Sequence, residues 1–504
     1  MEDKIIVTNR AALTAKYGPT GLAKIHRSLA ALIAADRRRG LETAVVYLDS
    51  AAAMKRLGGK AVPDVDAFRE TKEAIDRIFT ARRPDYLMIL GAPDVVCHQD
   101  LRNPVFDGTD DDDRRAWGDV PYACDTPYSR NPARFIGPTR VVGRLPDLVA
   151  ADEPSYLLGL LKTAASWRRR PVSDYAAYFG LSAEVWKGST RLSLDTVFGS
   201  DDDLLLSPPR GPRHPAAALG RRMHFINCHG APASPEFYGE RRKKYPTALR
   251  TATIGGAIAE GTVAAVECCF GGELYDSVTL GLDMPICQSY LKQGAYGYLG
   301  STTIAYGPPD DNGAADLVCQ YFLLDVLDGA SIGRATLMAR QQFVEHTAQM
   351  DPIDLKTLAQ FCLYGDPSVH PVVPHVAAGV PAPVARAKAA RFFRSERRAK
   401  LKLNGKFLQE TKPTASKRQR KARVSRAARS ILSKIARRGG LPAGQGFVAF
   451  GVSGAARVQR AAGKALPQPS RYHLAVGKPD RRRIAVVAKE VDGRIIAYRI
   501  YHER

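Results

Sequence analysis

The chain has 504 residues and a formal net charge of +23, with a sequence pI near 9.7. That length is too great for one hydrophobic core and asks for two or three units. No uninterrupted apolar run approaches the roughly 18–20 residues a membrane-spanning helix needs, and the eight cysteines show neither C-x-x-C pairs nor the dense spacing of a disulfide scaffold. The charge is unevenly placed. Residues 381–440 hold 20 Lys/Arg against 2 Asp/Glu and residues 441–504 hold 12 against 4, which leaves residues 1–380 at −3. The high pI therefore belongs to the tail, and an acidic partner is to be sought there. Cys97, Cys124, Cys228, Cys268, Cys269, Cys287, Cys319 and Cys362 all precede it. The start, Met1-Glu2-Asp3-Lys4 before an apolar run, reads as a lead into a strand and not as a signal peptide. The expectation is an intracellular, cytoplasmic protein with reduced thiols.

In chain order, residues 5–8 form a strand, and Leu22, Ile25, Leu29, Leu32 and Ile33 recur at helical spacing until Gly40. A strand at 43–48 follows, then a helix carrying Phe68, Ile75, Ile78 and Phe79, then a buried-looking strand at 86–90. Short strands alternating with helices argue for an α/β fold with a mostly parallel sheet covered on both faces. Residues 103–146 are loop-like and include Asp110-Asp111-Asp112-Asp113. That run is either a solvated loop or a site for a hard cation such as Ca²⁺; it lacks the spaced ligands and central glycine of an EF-hand. A helix at 154–167 leads to a second unit.

There, residues 175–183 read as a strand, 207–215 as a Pro-rich loop, and 223–228 as a strand ending at His229. Residues 231–245 form a loop holding Arg241-Arg242-Lys243-Lys244, a solvated face or a substrate-facing one. Residues 262–268 are a strand ending at Cys269, 296–305 are a further apolar run, and helices cover about 314–327 and 333–349. From residue 371 the composition changes. A Pro/Ala linker precedes the Arg/Lys-rich segment 386–438, and the last stretch has a hairpin pattern with Asp492-Gly493 as its turn. The expected organisation is an N-terminal α/β subdomain over 1–148, a second over 149–375, a linker and basic segment over 376–440, and a small β-rich module over 441–504.

The stretches "HFINCHG" and "TVAAVECCFGGEL" each end an apolar strand in a reactive side chain. This pattern of a strand ending in His-Gly, then some forty residues later a strand ending in an acidic residue, a small residue, Cys and soon Gly, resembles the caspase-like cysteine peptidases. Within that group it is most similar to the gingipain family, because "PDYLMILGAPD", "VVGRLPD", "GYLGSTTIAYG" and "LYGDPSV" occur in the family order over roughly residues 5–373. The resemblance implies two Rossmann-like, caspase-like three-layer αβα subdomains. It also implies a thiol protease with Cys269 as nucleophile and His229 as acid and base.

The residues themselves suit that chemistry. A thiol has a reference pKa near ~8.5 and attacks as its thiolate, so a nearby imidazole is needed to take the proton and return it to the leaving amine. The backbone N–H groups of Gly230 and Cys269 are candidate oxyanion donors. Cys268 and Cys269 cannot both face one pocket while the strand continues, and Cys269 is the one in the family position. A zinc site from Cys228, His229, Cys268 and Cys269 is disfavoured because adjacent strand residues diverge. Asp310 and Asp311 stand where similar enzymes wall the pocket for the residue before the cut bond; they either pair with a substrate Arg or Lys or begin the next helix as solvated carboxylates. No cofactor is required. The expected function is an intracellular cysteine endopeptidase with a protein or peptide substrate, its basic tail meeting a nucleic acid or another acidic partner. The alternative is a catalytically silent scaffold that binds through that tail.

Overall fold

The computed structural model describes residues 2–106, 111, 113–308, 310–347, 350–373, 426–442, 447–451, 471–477, 484–491 and 493–502. Its centre is one ten-stranded sheet. The strands are β1 (Lys4–Thr8), β2 (Thr43–Tyr47), β3 (Tyr86–Leu90), β4 (Val142–Leu145) and β5 (Tyr178–Ala183). They continue as β6 (Leu204–Ser207), β7 (Met223–Asn227), β8 (Val263–Val266), β9 (Gly297–Ser301) and β10 (Phe361–Tyr364). The spatial order is β2-β1-β3-β4-β10-β9-β8-β7-β5-β6.

Most of these strands are apolar throughout because both faces of the sheet are covered. Side chains alternate between two cores. Ile226, Ala264, Val266, Tyr298, Cys362 and Tyr364 face one, while Met223, Phe225, Val263, Ala265, Leu299, Phe361 and Leu363 face the other. Helices Arg10–Arg38 and Ser155–Ser166 cover the first core, and Ala315–Leu327, Ile332–His346 and Pro352–Gln360 cover the second. This is the expected α/β fold, a three-layer αβα arrangement with a mostly parallel sheet.

Three strands of this sheet depart from the sequence reading, the first being Val142–Leu145, inside the stretch 103–146 read as loop-like. Leu204–Ser207 adds an edge strand just before the Pro-rich loop, and Phe361–Tyr364 joins the two halves. The latter pairs parallel with β4 and antiparallel with β9, whereas the other seven pairings in the sheet are parallel. The halves thus run in opposite directions within one sheet. Lys4 reinforces the join. Its buried ammonium lies 2.9 Å from Asp36, 3.2 Å from Ser368 Oγ, and also bonds Asp366, so strand β1 is tied to the segment after β10.

Beyond the sheet, helix Arg426–Arg438 and strands Val448–Gly451, Arg471–Gly477, Ile484–Val491 and Arg494–His502 make the β-rich module. Leu432, Ile435 and Ala436 pack with Val486, Ala488 and Ile495 and with Leu280 of the preceding unit. Arg438 reaches Asp276 at 3.3 Å and the Ala150 carbonyl at 2.7 Å, and Tyr498 donates to Asp276 at 2.9 Å. Of the basic segment 386–438, residues 386–425 lie outside the described residues, as does Asp492 of the hairpin turn. Among the described residues, no helix is long and apolar enough to cross a membrane.

Candidate functional site

In the second half the chain passes from β5 to β6 on one side, then returns to build β7, β8 and β9 on the other. The reversal makes a switch point between β5 and β7, and ligands of open α/β sheets bind at the carboxyl ends of strands there. His229 stands two residues past the end of β7. Trp186 lies just past β5, and the two ring centroids are 4.2 Å apart.

His229 and Gly230 leave the main sheet and begin a small antiparallel one with Glu236–Tyr238 and Thr247–Arg250. The sequence predicts a loop over residues 231–245, where the structure has strand Glu236–Tyr238. Beyond the paired strands the hairpin narrows to a neck, and both neck side chains meet His229. Glu240 places Oε2 2.8 Å from its Nε2, and the Tyr245 ring stands edge-on at 5.2 Å. A carboxylate on one ring nitrogen fixes the tautomer and orientation of the imidazole. Glu240 was missed in the sequence because its link to His229 depends on how a hairpin folds back, which no periodicity reports.

The second arm arrives from β8. Cys268 lies in the first core, where its sulfur accepts from the Cys228 N–H at 3.3 Å, while Cys269 lies in the second, its thiol donating to the Ala305 carbonyl at 3.6 Å. Phe270 then takes φ = 56°, a left-handed conformation unusual for a bulky residue, and turns the chain. The turn is held by Phe270 N–H to Thr303 O (2.9 Å), Gly271 N–H to Cys268 O (3.0 Å) and Gly272 N–H to Ser301 O (2.7 Å). The two arms touch through backbone. A Cβ on Gly230 would stand 1.7 Å from the Cys269 carbonyl oxygen and 3.5 Å from the Cys269 nitrogen. Only glycine fits there, and the His-Gly and Cys arms thereby share one site. The side chains of His229 and Cys269 are both buried, the first completely.

Around this pair the loops are fastened by carboxylates. Asp113 accepts from the Ile304 N–H at 3.0 Å, and Tyr306 donates to Asp111, so both acids grip the segment that carries Ala305. Lys356, fully buried, lies 2.5 Å from Asp111 and 3.3 Å from Asp113. Asp111 and Asp113 of the four-acid run thus face an ammonium; Asp110 and Asp112 lie outside the described residues. On the other side, Glu273 accepts from the Ala233 N–H at 2.6 Å and holds Ala233 at φ = 50°. Burial pushes the Glu273 carboxyl up to about 8, and the negative charge of Asp113 adds to the shift.

The remaining sequence candidates are placed as follows. Asp310 is exposed, while Asp311 is half-buried, bonds the Asn312 N–H at 2.8 Å and has its carboxyl pushed upward by burial. Asn312 in turn lies 3.3 Å from Ser193 on the helix after Trp186. The thiols of Cys228 and Cys268 belong to one core and that of Cys269 to the other, which leaves them poorly disposed as joint ligands of one ion. Another donor group converges in the first half, formed by His98, Asp119 and Cys362. Arg144 forks onto Asp119 with contacts of 2.8 and 2.6 Å, placing a buried guanidinium where a metal cation would be repelled.

No known family profile and no curated protein matches the chain. Among solved structures, one described as "Structure of Protease" is similar at a TM-score of 0.45 and 12% identity, over 99% of this chain and 96% of that one. A likeness that loose says nothing about which residues act.

Proposed function

We propose that the protein is a cysteine endopeptidase with Cys269 as nucleophile and His229 as general base and acid. The observation that carries this reading is the packing of Gly230 on the Cys269 peptide, which joins the His-Gly and Cys arms at the sheet's switch point. In the proposed reaction His229 takes the thiol proton, and Sγ attacks the carbonyl carbon of the scissile bond. The N–H groups of Gly230 and Cys269 receive the oxyanion. His229 then gives its proton to the leaving amine, and a water that it deprotonates releases the acyl group from sulfur. Glu240 stabilises the imidazolium throughout. Asp310 or Asp311 would meet an Arg or Lys before the cut bond, no cofactor enters, and the basic segment 386–438 would carry an intracellular enzyme to a nucleic acid or another acidic partner.

A second reading is favoured by one feature, the enclosure of both side chains. On that reading the chain is a silent scaffold that binds through its basic tail, and the loops over Cys269 never part. Alkylation by iodoacetamide separates the two. An activated Cys269 reacts well ahead of the other seven thiols near neutral pH, and ahead of its own rate in His229→Ala. Uniformly slow labelling of all eight favours the scaffold.

A further inference from the structure

The tip of the hairpin whose neck grips His229 is a basic turn. Arg241 and Lys244 exchange both backbone hydrogen bonds, Arg241 N–H to Lys244 O at 3.1 Å and Lys244 N–H to Arg241 O at 3.0 Å. The two residues between them, Arg242 at φ = 49° and Lys243 at φ = 61°, are both left-handed. Two-residue hairpin turns of this kind are ordinarily made by Asn-Gly or Asp-Gly, which adopt positive φ with little or no strain. Here two long cationic side chains occupy the strained positions.

The turn is also anchored. Arg241 lies 2.9 Å from Glu184, in the short helical turn that ends at Trp186, the residue whose ring is tilted against His229. Arg242, Lys243 and Lys244 are exposed, and among the described residues no carboxylate is within ion-pair distance of them. Glu240, one position before the run, is the carboxylate on His229. Consecutive Cα atoms are about 3.8 Å apart, so the run begins within a few residues' reach of the proposed reacting centre. It does so in a part of the chain, residues 1–380, whose net charge is −3.

We infer that this turn is a specificity element for acidic substrates: Arg242, Lys243 and Lys244 bind Asp or Glu side chains of a peptide lying across the site. Arg242 can take a carboxylate through two parallel N–H bonds, and the two lysines add point charges that draw an acidic chain toward the site. The inference rests on the peptidase reading and adds to it a subsite distinct from Asp310 and Asp311.

The test uses the full-length protein and pairs of fluorogenic peptides that share one cleaved core and carry Glu-Glu or Gln-Gln at one end or the other. The wild type is expected to favour one Glu-Glu peptide by about 10-fold in kcat/KM at low salt, with the ratio shrinking as salt screens the charges. In the double variant Arg242→Asn, Lys243→Gly, which keeps the turn geometry and lowers its strain, the ratio falls most of the way to one; in Arg242→Lys it stays well above one. Cleavage by Cys269 with no preference between Glu and Gln in the wild type overturns this inference and leaves the peptidase reading standing. A preference that survives intact in the double variant overturns it equally. Absence of any Cys269-dependent cleavage overturns both.

Discussion

A methyl group on Gly230 would stand 1.7 Å from the carbonyl oxygen of Cys269, far inside any van der Waals contact. Gly230→Ala must therefore push the His229 arm away from the Cys269 arm. Overpacking a tight interior typically costs about 1–3 kcal/mol, and here the obstacle is backbone and cannot rotate aside. The expected result is a loss of at least about 2 kcal/mol in urea unfolding, with Cys269 alkylation slowed to the rate of an unassisted thiol.

The pairing of His229 with Glu240 carries a second prediction. Glu240→Gln keeps the shape of the neck but removes the charge that stabilises the imidazolium. Proton transfer by a positioned group contributes roughly 10²–10⁴ to rate, so His229→Ala should lower kcat by that order and Glu240→Gln by a smaller factor. Both are measured as Cys269-dependent peptide hydrolysis, with near-UV circular dichroism showing that the fold is retained. Equal rates in Glu240→Gln and wild type would remove Glu240 from the mechanism.

Lys356 and Asp111 lie 2.5 Å apart with both side chains fully buried, and they bring together residues 245 positions apart. Removing one member of such a pair strands the other charge, at about 3–5 kcal/mol. Lys356→Met should lower stability by that order, and Lys356→Met with Asp111→Asn should recover part of the loss. Thermal unfolding of the four proteins in the cycle gives the answer. Additive losses would mean that the pair does not act as a unit.

Glu273 links stability to pH. Its carboxyl titrates at about 8 in the folded chain, against 4.5 for an ordinary glutamate. Between those values the folded state holds a proton that the unfolded state has lost, so this group's stabilising contribution is complete below the lower value and declines as pH rises through 8. Glu273→Gln should flatten that part of the stability profile and leave the protein relatively more stable at pH 8 than at pH 5. Urea midpoints across pH 5–8 in wild type and variant test it. Parallel profiles would show that Glu273 titrates normally.

How far the sequence went is clearest in particular elements. The strand before His229 and the strand before Cys269 were legible because a parallel strand buried on both faces reads as an apolar run. The small antiparallel sheet after His229 was not, since Arg242-Lys243 lacks the Asn-Gly signal of a two-residue turn. Phe361–Tyr364 was missed as a strand because four apolar residues after a helix carry no mark of direction, and the joining of the two halves depends on that direction. Glu240 and Lys356 escaped for a related reason. Patterning reports which face of an element is buried, not which distant element meets it.

The central claim is that Cys269 is a nucleophile for peptide bonds, and cleavage of a fluorogenic peptide library by the wild type, Cys269→Ala and Cys268→Ala tests it most directly. The account predicts hydrolysis by the wild type and by Cys268→Ala, with none by Cys269→Ala. Hydrolysis that persists in Cys269→Ala would contradict it, as would a folded wild type that cleaves nothing and whose Cys269 labels no faster than the other seven thiols.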